Sequence, residues 1–140
     1  MNDDGQDRAK GGGCLCGAVR YTVDGPLRQV VSCHCSQCLR THGHYAAYSA
    51  AIRGDLSIDG ADNITWHQSS DAARRGFCGV CGSRLFWDNV AADYVAVAAG
   101  TLDRPTGLTT VRHIFVDDKP DYYELTDGLP HLPRGHDSGR

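Results

Sequence analysis

Seven cysteines in three short groups constrain this 140-residue chain more than any other feature. The groups are CLC (Cys14, Cys16), CHCSQC (Cys33, Cys35, Cys38) and CGVC (Cys78, Cys81). An odd number of cysteines cannot form a complete set of disulfides, and a bridge within a C-x-C pair would close a very small, strained ring. The spacing therefore favours metal ligation over a disulfide framework.

The ligand count favours one division of the cysteines into two metal sites. A C-x-x-C motif followed by glycine has the form of a zinc knuckle, which supplies two of the four ligands of tetrahedral zinc. Adding Cys14 and Cys16 to the knuckle gives one closed site of four thiolates. Cys33, Cys35 and Cys38 then form a second site whose fourth ligand position is vacant. The other division adds the middle three to the knuckle, but it over-fills one site and leaves Cys14 and Cys16 unused.

The two sites of the favoured division differ in what they can do. A closed four-thiolate site is structural, and zinc binding of this kind contributes ~10–16 kcal/mol coupled to folding. An open three-thiolate site has the form of catalytic zinc, because water or substrate takes the vacant position. Two alternatives stay open for the middle cluster: a second structural zinc completed by a histidine, or a site without metal. We expect His34 to point away from its cysteine neighbours, either behind the ligands or at the surface.

Length and charge limit the remaining function classes. A chain of 140 residues fits one domain, and we expect flexible tails at 1–10 and 131–140 around a domain at 11–130. The net charge of −3, without basic tails, argues against nucleic-acid binding. No apolar run approaches the ~20 residues of a membrane helix, and the polar N-terminus lacks the apolar centre of a signal peptide. We expect a cytoplasmic protein with reduced thiols.

Short strands separated by turn residues predict a mainly β domain. In AVRYTV, the residues Val19, Tyr21 and Val23 alternate with polar neighbours and should share a buried face. SQCLRTHG predicts one or two helical turns that end at Gly43. The other predicted strands are RQVVSC, LSIDG, ITWHQS, RRGFC, RLFWD, DYVAVAAG and VRHIFVDDKP. The apolar segment HYAAYSAAI is compatible with a buried strand, although its alanines leave a helix open as the alternative.

Five segments together resemble the glutathione-dependent formaldehyde-activating enzyme family, which shares its domain with centromere protein V. The segments are GGCLCGAVRYTVDGP, VSCHCSQCLRTHG, RGFCGVCGSRLFW, VAAGTLDRP and HIFVDDKPDYYEL, and the likeness runs from residue 12 to about 130. The resemblance implies a β-tent fold of short antiparallel sheets joined by a structural zinc site. It implies that Cys14, Cys16, Cys78 and Cys81 hold that zinc, and that Cys33, Cys35 and Cys38 hold a second, catalytic zinc.

The implied activity is that of a carbon–sulfur lyase, which forms or cleaves S-hydroxymethylglutathione from glutathione and formaldehyde. An open thiolate site suits this chemistry, because zinc lowers the pKa of a bound thiol and accepts a fourth sulfur ligand. We favour delivery of the thiolate over activation of the aldehyde oxygen, since three thiolates weaken zinc as a Lewis acid. The alternative is a non-catalytic zinc module that carries a thiol adduct or binds a protein partner.

Other residues near the cysteines carry weaker expectations. We expect Arg40, His42 and Arg84 to be solvated surface residues. The aromatic residues Trp66, Phe86 and Trp87 should belong to the core. The pair Arg74–Arg75 should lie on a solvated strand edge instead of forming an anion site.

Overall fold

The structure is a computed structural model that describes residues 9–135. Ten strands and one α-helix form its framework. In chain order they are β1 (Lys10–Gly13), β2 (Arg20–Val23), β3 (Val30–Cys33), α1 (Ser36–His42), β4 (Ala46–Ile52), β5 (Leu56–Asp59), β6 (Ile64–Gln68), β7 (Ala73–Cys78), β8 (Arg84–Asn89), β9 (Tyr94–Ala98) and β10 (Thr110–Ile114). Single turns of 3-10 helix lie at Arg53–Asp55, Ala61–Asn63, Ala99–Thr101 and Val116–Asp118.

The strands form two sheets, which confirms the prediction of a mainly β protein. One sheet has three antiparallel strands in the order β1-β2-β5. The other has seven strands in the order β10-β3-β4-β9-β8-β7-β6. This larger sheet is mixed and not purely antiparallel, because β10 pairs in parallel with β3. Within residues 9–135, no helix has the length and apolar character needed to cross a membrane.

The hydrophobic core lies between the two sheets. In β2 the residues Tyr21 and Val23 are buried and their neighbours are exposed, as the alternation in the sequence predicts. The ring of Tyr21 meets that of Phe86 on β8 edge to face, with 5.4 Å between ring centroids. Burial of such side chains stabilises the contact between the sheets by roughly 1.5–3 kcal/mol for each large apolar side chain.

The helix α1 follows β3 directly and begins and ends where local sequence signals require. The side chain of Cys35 caps its start by accepting a hydrogen bond from the backbone N–H of Cys38. At its end, Gly43 has φ 81°, and its N–H donates to the carbonyl of Leu39. The prediction of a short helix closed by this glycine is confirmed, and the helix fixes Cys38 relative to the end of β3.

The expected tails reach too far into the folded part of the chain. Lys10 belongs to β1. Residues 131–135 are tied to β10 and the loop that follows it, because the N–H of Leu132 donates to the carbonyl of His113 and the N–H of Phe115 to that of Arg134. The tail assignment is therefore wrong for Lys10 and for 131–135. The rest of both expected tails lies outside the described residues, apart from Ala9.

Candidate metal centres and the adjoining cleft

The first cysteine cluster lies at the seam between the two sheets. Its four sulfur atoms lie within 4.8 Å of one another and belong to Cys14, Cys16, Cys78 and Cys81. The sulfur of Cys16 is 3.7 Å from that of Cys14 and 3.8 Å from that of Cys78. Since Cys14 follows β1 and Cys78 ends β7, a metal ion held here would tie the small sheet to the large one.

Tight backbone turns bring these sulfurs to one point. The residue after each cysteine pair is a glycine in the left-handed region, with φ 84° at Gly17 and φ 86° at Gly82, where a side chain would be strained. The N–H of Gly82 donates to the carbonyl of Cys78, and the N–H groups of Val80 and Cys81 face the Cys78 sulfur at 3.4 and 3.5 Å. These contacts fix the turn and orient the Cys78 sulfur within the cluster.

The second cluster forms within one continuous segment that runs from the end of β3 into α1. The sulfurs of Cys33, Cys35 and Cys38 lie within 4.8 Å of one another. Among residues 9–135, no further histidine, cysteine or carboxylate completes this group. Both cysteine sets consist of soft sulfur donors, a chemistry that fits zinc.

The three thiols of the second cluster influence each other's ionisation. Hydrogen bonds from Cys33, then from Cys38, lower the pKa of Cys35, and the positive charge of Arg75 acts in the same direction. The backbone N–H of Cys38 also donates to the Cys35 sulfur at 3.3 Å. The same mutual contacts act in the other direction on the remaining two thiols: the hydrogen bond to Cys35 raises the pKa of Cys33, and the pKa of Cys38 is raised as well. Without a metal ion the cluster therefore favours one thiolate, on Cys35, and a metal cation would have to displace the protons of the other two thiols.

A cleft of about 540 Å³ opens beside the second cluster. Its walls combine the three cysteines with apolar, hydroxyl and arginine side chains. The lining residues are Arg28, Val31, Cys33, Cys35, Ser36, Gln37, Cys38, Tyr48, Ser69, Ser70, Arg75, Trp87, Tyr94, Ala96, Ile114 and Phe115. The set includes two arginines and neither aspartate nor glutamate, so the cleft suits a small neutral or anionic ligand.

The expectation for Arg74 and Arg75 is wrong, because β7 lies between β6 and β8 and is not an edge strand. Arg75 is only 7% exposed, and its Nη2 lies 3.1 Å from the side-chain oxygen of Gln37 and 3.8 Å from the Cys38 sulfur. Arg74 instead forms an ion pair with Asp88 at 3.0 Å. Two adjacent residues of a strand point to opposite faces of a sheet, so one arginine enters the cleft and the other does not.

His34 was expected to lie either behind the ligands or at the surface. It lies behind them, because its ring is fully buried. Its Nδ1 lies 2.6 Å from the hydroxyl of Tyr123, and its Nε2 lies 3.0 Å from Nδ1 of His113. His113 in turn contacts the Asp127 carboxylate at 2.8 Å. Burial, and then the neighbouring charge of His113, lowers the pKa of His34 to about 4. The ring is therefore neutral at physiological pH and belongs to a hydrogen-bonded chain behind the cysteine segment.

Two of the three residues expected to be solvated are half-buried. Arg40 is exposed, as expected. His42 is not solvated, because its Nε2 lies 2.9 Å from the hydroxyl of Tyr48 in the wall of the cleft. Arg84 is also half-buried, and its Nε donates to the carbonyl of Thr41 at 3.0 Å. Both residues thus hold the helix α1 against the sheet.

The three aromatic residues expected in the core divide between the core and the cleft. Phe86 is 1% exposed and belongs to the core, and Trp66 packs against it. Trp87 lines the cleft and stacks on Tyr94 with 6.4 Å between ring centroids. The core assignment is therefore wrong for Trp87. The alternation of side chains along β8 sends Phe86 and Trp87 to opposite faces.

Sequence reasoning missed the partners of His34. His113 and Asp127 are 79 and 93 positions away from it in the chain, and only the parallel pairing of β10 with β3 brings His113 beside it. Tyr48 was also missed, since it lies in an apolar segment that indicates only a buried strand or a helix. No local pattern marks these residues, because their contacts are made between distant parts of the chain.

Comparison with known proteins agrees with this geometry. Residues 9–118 match the model of the glutathione-dependent formaldehyde-activating enzyme family. A protein of Halomonas elongata, whose name assigns it provisionally to these enzymes, is 29% identical over 128 residues, which cover 81% of this chain and 79% of the relative. A protein of Schizosaccharomyces pombe named an uncharacterized lyase is 27% identical over 119 residues, covering 83% of this chain and 85% of the relative.

A solved structure supports the fold independently. The crystal structure of a Rhodobacter sphaeroides protein superposes with a TM-score of 0.58 at 28% sequence identity. The match covers 71% of this chain and 97% of the other chain. The two molecules therefore share a mainly β architecture.

Proposed function

Because the chain belongs to the glutathione-dependent formaldehyde-activating enzyme family, we propose that it is a zinc-dependent enzyme of the carbon–sulfur lyase type. It forms or cleaves the bond between the sulfur of a small thiol, such as glutathione, and the carbon of formaldehyde or a related aldehyde. One observation carries the proposal: three cysteine sulfurs without a fourth protein ligand in the described chain adjoin a cleft of about 540 Å³. The cytoplasm is the proposed location, since it keeps such thiols reduced.

The two clusters take separate roles in this proposal. Cys14, Cys16, Cys78 and Cys81 hold a structural zinc at the seam of the sheets, where no further ligand is required. Cys33, Cys35 and Cys38 would hold a second zinc at the edge of the cleft, where the substrate would bind. Their sulfurs fit the ion in type and mutual distance, which stays within 4.8 Å in each cluster.

Zinc held by the three cysteines of the second cluster would lower the pKa of a bound thiol and so supply a thiolate nucleophile at neutral pH. In the forward direction the thiolate sulfur attacks the aldehyde carbon, a carbon–sulfur bond forms, and the carbonyl electron pair moves to oxygen, which takes up a proton. The apolar walls of Trp87 and Phe115 exclude water from the reacting atoms, while Ser36 and Ser69 offer hydroxyl groups to a peptide-like body.

Tyr48 and His42 hold a proton at the wall of the cleft. The Nδ1 of His42 lies 3.0 Å from the carbonyl of Cys38, which can only accept, so we place the ring proton on Nδ1. The Nε2 then accepts from the Tyr48 hydroxyl at 2.9 Å. Burial raises the pKa of Tyr48, so the phenol stays protonated, and because its single O–H is donated to His42, its oxygen offers a hydrogen-bond acceptor to the cleft.

The test compares the wild-type protein with Cys35→Ser under reducing conditions. Exchange between glutathione, formaldehyde and S-hydroxymethylglutathione is measured by NMR exchange spectroscopy, and zinc per chain by elemental analysis. We expect two zinc ions per wild-type chain and exchange faster than the uncatalysed reaction. In Cys35→Ser we expect the uncatalysed rate with an unchanged far-ultraviolet circular dichroism spectrum.

Ser36→Ala provides the matched control, because Ser36 neighbours Cys35 and lines the same cleft without being a proposed ligand. It should retain two zinc ions and at least roughly a fifth of the exchange rate, as for loss of a single neutral hydrogen bond of about 0.5–1 kcal/mol. Exchange that survives in Cys35→Ser would contradict the open-zinc mechanism.

A carrier of the thiol adduct is the second candidate function. The same cleft can hold an adduct without accelerating its formation, and thiols combine with formaldehyde without a catalyst. Wild-type protein that binds S-hydroxymethylglutathione but leaves the exchange rate unchanged would favour this carrier over the enzyme. A protein that binds a protein partner, but binds neither glutathione nor S-hydroxymethylglutathione, would favour a non-catalytic module.

A further inference from the structure

Arg75 is a buried cation without a carboxylate partner in the described chain. The residue is 7% exposed, and its contacts are the Gln37 side-chain oxygen and the Cys38 sulfur, both made by Nη2. Its Nε is buried and has no hydrogen-bond partner. A buried positive charge destabilises the folded state unless a nearby anion compensates it. The structure should therefore contain an anionic group close to the guanidinium of Arg75.

The acidic residue closest to Arg75 in the sheet does not provide this charge. Asp88 lies opposite Arg74 in the pairing of β7 with β8, and its carboxylate is shared by Arg53 at 2.8 Å and Arg74 at 3.0 Å. The lining of the cleft includes no aspartate or glutamate. Within residues 9–135, the group that contacts Arg75 and can become anionic, once a metal ion displaces its proton, is therefore the sulfur of Cys38 at 3.8 Å.

We propose that Arg75 is the counter-cation of the centre at Cys33, Cys35 and Cys38, and that its charge sets how tightly this centre takes an anionic sulfur ligand. The inference rests on the proposed function, since it requires a metal ion at the three cysteines. Three thiolates and one divalent cation leave one net negative charge, and a fourth thiolate raises this to two. A fixed positive charge beside the sulfurs offsets the repulsion that the incoming thiolate meets.

The position of the guanidinium favours this role over recognition of a distant carboxylate. Gln37 lies in the same helix as Cys38, and its side-chain oxygen holds Nη2 on the side of the cysteine sulfur. The guanidinium thus faces the centre itself. Loss of a charged contact of this type weakens binding by roughly ten- to a hundredfold.

The experiment uses the full-length protein with cobalt(II) in place of zinc. The sulfur-to-cobalt absorption bands change when an added thiol binds at the open position, whereas the closed four-cysteine site contributes a constant background. Two thiols of similar size serve as probes: neutral 2-mercaptoethanol and anionic 3-mercaptopropionate. Each is titrated into the wild type, Arg75→Gln, Arg75→Lys and the control Arg74→Gln, which removes the adjacent charge on the other face of β7.

We expect Arg75→Gln to weaken binding of both thiols by roughly ten- to a hundredfold, in proportion to the lost charged contact. Arg75→Lys should keep most of the affinity, and Arg74→Gln should match the wild type. Unchanged affinity in Arg75→Gln would overturn the proposal. A loss confined to 3-mercaptopropionate would also overturn it, because Arg75 would then recognise the carboxylate of the ligand.

Two further outcomes keep the test decisive. If the wild type shows no spectral change with either thiol, the proposed open site is wrong and the role of Arg75 fails with it. If Arg75→Gln does not fold, Arg75→Met, which keeps the apolar stem of the side chain and removes its charge, takes its place in the titrations. The same roughly ten- to hundredfold loss for both thiols would support the proposal, and an unchanged affinity would overturn it.

Discussion

The two cysteine clusters offer the same kind of ligand atom, sulfur, but they differ in location and surroundings. The first joins segments that lie 62 residues apart and sits between two sheets, with sulfur contacts on every side. The second is formed by six consecutive positions, Cys33–Cys38, at the edge of a cleft. The two clusters thus differ by one ligand and one neighbouring cavity, and the proposed division into a structural site and a reactive site depends on that difference.

The position of each cluster in the chain explains why they should respond differently to substitution. The first cluster closes a long loop and connects β1 to β7, so the arrangement of the sheets depends on it. The second cluster lies in a strand–helix segment that other contacts already hold in place, among them the cap of α1 at Gly43. Loss of the first should therefore affect folding, and loss of the second should affect chemistry.

The largest expected effect is that of Cys78→Ser, which removes a fully buried ligand of the first cluster. Structural zinc contributes ~10–16 kcal/mol coupled to folding, which is comparable to the ~5–15 kcal/mol stability of a typical domain. We expect loss of the cooperative thermal transition, measured by circular dichroism. Cys35→Ser is the control and should keep that transition; a Cys78→Ser protein that melts like the wild type would remove the distinction between the clusters.

Graded removal of metal should separate the clusters without mutation. A chelator should take zinc first from Cys33, Cys35 and Cys38, because three ligands and an adjoining cleft leave that ion more accessible. We expect zinc to fall from two ions to one per chain with the circular dichroism spectrum unchanged, and the fold to be lost only when the second ion leaves. Simultaneous loss of both ions, or of the fold with the first, would contradict the assignment.

The walls of the cleft offer a smaller and more selective test. Trp87→Ala removes an aromatic surface beside the second cluster, and we expect KM for the thiol adduct to rise roughly tenfold, as for loss of an aromatic contact of about 1.5 kcal/mol. Steady-state kinetics measures this effect. Trp66→Ala is the matched control, because Trp66 packs against the core and should lower the melting temperature while KM stays constant. An unchanged KM in Trp87→Ala would place the substrate elsewhere.

The smallest expected effect concerns the protonation of His34 behind the second cluster. Burial and the nearby groups His113, His44, Lys119 and His131 lower its pKa to about 4, from 6.5. The unfolded chain therefore takes up a proton first as the pH falls, so the stability contributed by the neutral ring is complete above about pH 6.5 and is lost towards pH 4.

Nitrogen-15 NMR of the histidine rings measures this directly. We expect the His34 resonances, assigned by comparison with His34→Gln, to remain constant between pH 7.5 and about pH 5.5. A titration midpoint near 6.5 would show that the ring is solvated. It would also weaken the view that the hydrogen-bonded chain of His34, His113 and Asp127 supports the second cluster.

The local features of this fold could be predicted from the sequence to a large extent. The strands follow from short runs of alternating or apolar residues, and the end of α1 follows from Gly43. The grouping of the cysteines follows from the number of ligands that zinc takes. Sites of four and three cysteines fit tetrahedral zinc, whereas sites of five and two do not. The contents of the cleft were less accessible: Trp87 and Arg75 were assigned to a core and to a strand edge, because a single strand does not reveal its neighbours in the sheet.

The sequence by itself determined the two cysteine clusters and the mainly β character of this protein, because ligand spacing and side-chain alternation are properties of short segments. Only the tertiary structure decided which charges and rings surround those clusters. It placed Arg75 on a central strand beside Cys38, and it brought His113 to His34 through a parallel strand pair. Such contacts join residues 37 to 79 positions apart, and they depend on the order of strands in the sheet, which no local pattern encodes.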